Sequence, residues 1–190
     1  MSISMNASTS KFIDIVGNIK EKGWGICHPF SIDSNDIDYI KSQLSTFKES
    51  SIKKGPINYR TDHIKWLDEN NEFDNKFLNQ FKKIQSLFDN EPFLKSSHIE
   101  SHYALYDVGN YYKRHKDSFV RNNKRILSMV TYLNQDWKEL NGGHLTLYLE
   151  SGNITIEPIL GTTIIFCSDI EHEVSVSHSQ RLSIATWFNK

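Results

Sequence analysis

The sequence predicts an α+β chain in which N-terminal helices pack on one side of a closed or double-layered β fold, such as a jelly roll. Three observations carry this. Apolar stripes at helical spacing are confined to the first ninety residues, and short β-rich stretches between turn residues fill the remainder. Aromatic residues are plentiful, with 11 Phe, 8 Tyr and 4 Trp, the side chains that strands favour.

Within 11–22, Phe12, Ile15, Val16 and Ile19 recur at helical spacing, and Gly23 is a suitable stop. A short strand, Trp24 to Cys27, follows. Ile37, Ile40, Leu44 and Phe47 make a second helical stripe between Asp33 and Lys48, with Ser and Asp present for the N-cap. The stretch 59–67 is extended, and a third stripe uses Phe73, Phe77, Phe81, Ile84 and Phe88. From about residue 98, strands are expected at 101–108, 125–134, 144–149, 153–157, 162–167, 171–176 and 181–188. Asn141-Gly-Gly143 and Ser151-Gly-Asn153 read as hairpin punctuation between them.

The 190 residues fit one domain with one substantial core. Residues 1–10 are small and polar and read as a disordered tail, leaving 11–190 as the domain and about 98–190 as its β core. The 22 basic and 23 acidic residues give a net charge of −1, no general reason to bind nucleic acid or an anionic membrane. No apolar run approaches membrane-helix length. Two cysteines, Cys27 and Cys167, make no disulfide scaffold, so a reducing, cytoplasmic setting is expected.

The chemistry-bearing residues are His115 and Asp117, followed far along the chain by His172. Two His and one carboxylate on one face of a metal leave positions open, the pattern of non-haem Fe(II) oxygenases. In extended backbone i and i+2 point the same way, so His115 and Asp117 can reach one ion while His172 arrives from another strand. A His-x-Asp pair alone is more often surface loop. Arg181, on the next predicted strand, raises its weight: a guanidinium fork suits the distal carboxylate of a keto acid, and Ser183 shares its face. His98 and His102, at i and i+4 of a strand, are too far apart to chelate one ion. Lys113, Arg114, Lys116, Arg121, Lys124 and Arg125 form a basic cluster around the metal motif, ordinarily a solvated loop.

With these residues in place, the chain resembles the prolyl-hydroxylase branch of the Fe(II)/2-oxoglutarate dioxygenases, especially the HIF prolyl hydroxylases and their bacterial relatives. The likeness is carried by Tyr106-Asp-Val-Gly109, His115-Lys-Asp117, Arg125, Tyr132-Leu-Asn-Gln-Asp-Trp137 and Gly142-Gly143-His-Leu145. It continues through Glu157-Pro158, Phe166-Cys-Ser168, His172-Glu-Val174 and Arg181…Trp187. Upstream, Arg60-Thr-Asp62-His-Ile64-Lys-Trp66 resembles a segment preceding the catalytic core of that branch.

The resemblance implies a double-stranded β-helix, cupin-like, with Fe(2+), 2-oxoglutarate and O2 as cofactor and cosubstrates, and ascorbate as an accessory. By position, His115, Asp117 and His172 would ligate iron. Arg181 and Tyr132, with Ser183, would hold the distal carboxylate of 2-oxoglutarate, and Tyr106 would lie nearer the metal. Trp187 would wall the substrate pocket. Arg125 would be a substrate-side arginine paired with Asp62, and Trp66 would belong to the same covering segment. Ala185 stands where relatives often carry a Thr. The implied activity is hydroxylation of a prolyl residue in a protein or peptide, with release of succinate and CO2. The same chemistry on a free amino acid or other small molecule, and a catalytically silent cupin-like metal-binding or interaction module, remain open beside it.

Overall fold

The protein is described here by a computed structural model covering residues 7–50, 52–54, 57–118 and 124–190; side chains of 7–14, 52–54 and 57 fall outside that description. Helix α1 (Ala7–Lys22) leads into strand β1 (Trp24–Cys27), and α2 (Ser34–Ser42) follows. Four short strands come next: β2 (Lys48–Glu49), β3 (Ile52–Lys54), β4 (Ile57–Arg60) and β5 (His63–Trp66). After α3 (Glu72–Ser86) come β6 (His98–Tyr106), β7 (Tyr112–His115), β8 (Arg125–Tyr132), β9 (Leu145–Tyr148) and β10 (Ile154–Ile156). The chain closes with β11 (Thr163–Cys167), β12 (Glu171–Val174) and β13 (Arg181–Asn189).

These strands form two antiparallel sheets, ordered β1-β11-β8-β13-β6-β5-β2 and β10-β9-β12-β7-β4-β3. The central strands of the larger sheet are buried on both faces, and their alternation sorts the side chains. Tyr103, Leu105, Leu127, Met129, Leu182, Ile184 and Phe188 turn toward the helices and join Ile15, Ile19, Ile37, Ile40, Phe77, Phe81 and Ile84 in one core. Ala104, Tyr106, Tyr132, Ile164 and Phe166 turn the other way, against Leu145, Leu147, Ile156 and Val174 of the smaller sheet. The expected architecture of helices on one side of a double-layered β fold is the one observed.

Local chemistry fixes the helix ends. Gly23, at φ 78°, closes α1 with its N–H on the Ile19 carbonyl at 2.9 Å. Asp33 and Asp36 form a reciprocal capping box at the start of α2, and Asn71 caps α3. Helix α1 begins at Ala7, so residues 7–10 are helical rather than tail; residues 1–6 are not described.

Two expectations are corrected. Helix α2 ends at Ser42, and Phe47 is extended rather than helical. The Ser42 hydroxyl bonds the Tyr39 carbonyl and the Thr46 hydroxyl the Gln43 carbonyl, side-chain bonds that compete with a continuing helix. Phe47 instead packs on Tyr103, ring centroids 6.1 Å apart. Asn141-Gly-Gly143 does not turn a hairpin: β8 and β9 lie in different sheets, and this stretch crosses between them. The β9–β10 hairpin around Gly152 does form.

Candidate metal centre and its pocket

His115 ends β7 and His172 lies on β12, directly opposite it in the antiparallel register. Their Nε2 atoms stand 3.6 and 3.5 Å from Asp117 Oδ1 and Oδ2, and the candidate ligand atoms of the three residues all lie within 4.8 Å of one another. The sequence expectation placed Asp117 on the same extended run as His115. It lies just past the strand instead, where its N–H and that of Ser118 both bond the Ser168 carbonyl at 3.1 and 2.9 Å. The bend is anchored from outside the ladder.

The donor set suits a divalent cation. Nδ1 of His115 faces the Lys113 carbonyl at 2.8 Å and Nδ1 of His172 the Ile170 carbonyl at 3.0 Å, so each carries its proton there. Both Nε2 lone pairs are thereby directed at the carboxylate, where two acceptors and an anion gain nothing from one another without a cation between them. Ser128 Oγ donates to Asp117 Oδ2 at 2.7 Å and lies 2.9 Å from Ser168 Oγ, which fixes the carboxylate. Burial lowers the His172 imidazole, against the opposing pull of Asp117. Tyr112 stacks on the His115 ring at 3.6 Å, and Phe166 meets His172 edge-on at 4.8 Å.

Below the triad the inner face of the larger sheet forms the pocket floor in rows. Arg181 sits opposite Tyr106, and the next row runs Tyr132, Ser183, Ala104, Ile64. Above it come Val130, Ala185, His102 and Trp66, and then Ser128, Trp187 and Glu100. Ala104, Ser183 and Ala185 are small, so they leave a channel from Arg181 to Trp187 beneath the triad; the cavity holds about 500 Å³ including its mouth.

Arg181, only 2% exposed, closes the inner end. Its Nε donates to the Gly143 carbonyl at 2.8 Å and an Nη to Ser183 Oγ at 3.0 Å, and no ion pair among the described residues involves it. The guanidinium lies over the Tyr106 and Tyr132 rings at 4.8 and 5.1 Å, and the buried Tyr132 hydroxyl has no hydrogen-bond partner among the described residues. A buried cation without an anion, beside an orphaned phenol, fits a carboxylate ligand. Burial pushes the Tyr132 phenol up to about 12, so it is present as a donor.

At the mouth, Trp187 and Trp66 stand 6.5 Å apart, with Trp66 about half exposed at 52%. Arg125 lies over Trp187 at 3.8 Å and reaches Glu100 at 3.4 Å. The expected Asp62–Arg125 pair is absent. Asp62 is fully buried and taken by Arg60, through Nε at 2.5 Å and Nη2 at 2.8 Å. The shorter reach within one segment wins, because the pair is made before any tertiary approach is needed. Of the basic cluster, Arg114 pairs with Glu171, and Arg121 lies outside the described residues.

Several residues at or beside the pocket were given no role in it from sequence. Gly143 is required at φ 61°, because a Cβ there would meet Arg181 Cδ at 2.9 Å. Ser128, Tyr112 and His102 also line the cavity. His102 shares a face of β6 with Tyr106 by two-residue alternation, a signal that was available.

Comparison with known proteins gives a consistent picture. The family model described as the 2OG-Fe(II) oxygenase superfamily matches residues 101–189. The structure is similar to the crystal structure of a Pseudomonas putida prolyl-4-hydroxylase, with a TM-score of 0.82, 26% identity, and coverage of 94% of this chain and 99% of that one. It shares its fold with a Trichoplax adhaerens prolyl hydroxylase solved with a hypoxia inducible factor peptide fragment (TM-score 0.83, 21% identity, 98% and 94% covered). The same holds for a viral collagen prolyl hydroxylase from Paramecium Bursaria Chlorella virus-1 in its 2OG complex (TM-score 0.61, 18% identity, 88% and 96% covered).

Proposed function

We propose that this chain, which belongs to the 2OG-Fe(II) oxygenases in their prolyl-4-hydroxylase branch, hydroxylates a prolyl residue of a peptide or protein. Oxygenase chemistry with Fe(2+), 2-oxoglutarate and O2 comes with the family. The metal and cosubstrates, when bound, insert one atom of O2 into a C–H bond of the substrate and the other into succinate, with loss of CO2.

In this reading His115, Asp117 and His172 hold the iron, and their fixed tautomers keep both Nε2 atoms ready for it. Arg181, Ser183 and Tyr132 hold the distal carboxylate of 2-oxoglutarate. Tyr106, whose phenol is held protonated chiefly by burial and by Asp62, lines the cosubstrate on the way to the metal. The apolar walls Val130, Leu145, Phe166 and Val174 exclude water from the channel. Trp187, Trp66, Arg125 and Asp62 form the substrate side, Asp62 by fixing Arg60. A cytoplasmic setting agrees with the free Cys27 and Cys167, and ascorbate would act as an accessory reductant.

One observation carries the reading: a converged His-Asp-His set and an anion-less buried arginine at opposite ends of one small-residue channel. The prolyl substrate is supported by the likeness to the P. putida enzyme at 26% identity, and a peptide substrate agrees with the fold shared with the peptide-bound T. adhaerens enzyme. The test incubates the iron-loaded protein with 2-oxoglutarate and a panel of proline-containing peptides. Succinate formation matched by a gain of one oxygen on proline supports the proposal. Succinate matched by an oxygen gain only on free amino acids would replace it with small-molecule hydroxylation.

A further inference from the structure

We propose that His102 is a positioning residue for the substrate side of the pocket, clamping the Arg60 guanidinium and with it the Arg60–Asp62 turn that leads into the strand of Trp66. The proposal rests on the reading that this mouth receives a prolyl peptide.

His102 is 1% exposed on β6, in register with Trp66 of β5 on one side and Ala185 of β13 on the other. Its ring lies between the two mouth tryptophans, 5.2 Å from Trp66 and 5.1 Å from Trp187. The Nδ1 atom faces the Tyr103 carbonyl at 3.1 Å, so the proton resides there and Nε2 is left as an acceptor. Arg60 Nη2 lies 3.4 Å from that Nε2, a long hydrogen bond, and the same nitrogen donates to Asp62 at 2.8 Å. Arg60 also stands over the Tyr112 ring at 4.8 Å. The guanidinium is thus held by a carboxylate, an imidazole and an aromatic face.

The neutral ring is the form this arrangement requires. A second N–H at Nε2 would point a donor at a guanidinium, which accepts nothing. The charged groups acting on His102 are Arg60 and Arg125, which oppose its protonation, and Asp62, which favours it; burial, the largest influence, sides with the arginines.

The Arg60–Asp62 turn gains from such a clamp because it lies between strands: His63–Trp66 is paired along its length with β6, whereas Arg60 ends β4, opposite Ile52 and Tyr112. β4 meets β7 through the single pair Arg60↔Tyr112, supplemented by the Thr61 N–H on the Tyr111 carbonyl at 3.2 Å. Asp62 offers its carbonyl to the Ser50 N–H at 2.9 Å. His102, on a central strand of the larger sheet, gives this segment a rigid partner. A wall residue fixed in this way meets substrate already ordered, which lowers the entropy lost on binding.

The experiment compares the wild-type chain with His102→Leu, which removes the acceptor, and His102→Gln, which keeps one. Hydrogen exchange is read at the amides of residues 60–62. His102→Leu is expected to exchange about tenfold faster there, with β8 and β13 amides unchanged, and His102→Gln to stay within about threefold of wild type. With a turned-over proline peptide, His102→Leu raises KM about tenfold with kcat little changed. Calorimetric binding of Mn(II) and of 2-oxoglutarate is retained, since Arg181 and the triad are not touched. Wild-type protection at 60–62 in His102→Leu overturns the proposal, as does a loss of 2-oxoglutarate binding equal to the loss of peptide. If no prolyl peptide is turned over by the wild type, the proposed function fails, while the exchange comparison still decides the role of His102. Should His102→Leu unfold the chain, His102→Met takes its place with the same expectations.

Discussion

His115 and His172 are direct cross-strand partners, their ring centroids 4.2 Å apart, with Asp117 bridging toward both Nε2 atoms from the turn beyond β7. A register slip of one residue on β12 would turn His172 to the other face of its sheet. The metal centre is therefore as precise as the β7–β12 ladder that builds it.

His115→Ala should abolish succinate formation and reduce Mn(II) binding beyond measurement. Ser128→Ala is the finer test, since Ser128 only orients Asp117. It should weaken Mn(II) binding by about 10–100-fold, as loss of a partner to a metal ligand typically does. Unaltered affinity in a titration would mean that Asp117 is held well enough by the Ser168 carbonyl.

Arg181→Ala should raise the KM for 2-oxoglutarate by about 10-fold or more, because a buried carboxylate loses its charged partner. Gly143→Ala should act on the same constant from a distance. Its positive φ and the 2.9 Å approach to Arg181 Cδ force either backbone or guanidinium to move. The accompanying loss of stability is about 1–3 kcal/mol, readable by urea unfolding. A Gly143→Ala enzyme with normal 2-oxoglutarate kinetics would contradict this account.

Asp62→Ala leaves the Arg60 guanidinium buried without a counter-ion and should cost about 3–5 kcal/mol. Arg125→Ala removes a cation over Trp187, a part-exposed bond to Glu100 and a 3.9 Å approach to Asp117, and should cost about 1 kcal/mol. Because the two residues share no contact, the losses of the double variant should add within about 0.5 kcal/mol. A larger coupling would require the Asp62–Arg125 pair that the sequence expectation contained.

Burial, reinforced by Arg60, pulls the His102 imidazole from 6.5 down to about 4. The unfolded chain takes up this proton near 6.5 and the folded chain only near 4, so in that window the unfolded state binds more protons. Stability should rise with pH across it, and acidification from 6.5 to 4 should cost about 3 kcal/mol from this group. Urea unfolding of the metal-free protein at several pH values, with His102→Leu as reference, measures the contribution. Parallel curves for the two proteins would refute it.

Phe81 is fully buried and meets Phe30 edge-on at 5.4 Å, where α3 lies on the larger sheet. Phe81→Ala should cost about 3–5 kcal/mol in the same assay, with catalysis per folded molecule preserved. A loss below about 1 kcal/mol would mean that α3 repacks freely.

Much of the site was legible because it obeys short-range rules. Period-two alternation put Arg181, Ser183 and Trp187 on one face, and the structure keeps them there along β13. The helical stripe of Phe77, Phe81 and Ile84 is the buried face of α3. Alternation also held for β6, yet His102 was judged only as a metal ligand and so its place in the pocket was missed. Asp117 was placed by the same periodicity on a strand it has already left. The bend that carries it depends on Ser168, a residue from another part of the chain, which no local pattern contains.

The sequence by itself determined the class of fold, the helix caps and the residue types that the chemistry demands, because backbone preferences and alternation act over a few residues. Only the tertiary structure decided that Asp117 bends off β7 to face both imidazoles, that Gly143 carries the carbonyl holding Arg181, and that His102 is neutral between two tryptophans. Those outcomes depend on contacts between strands distant in the chain and on burial that changes what a charge costs, and neither is written in any short run of residues.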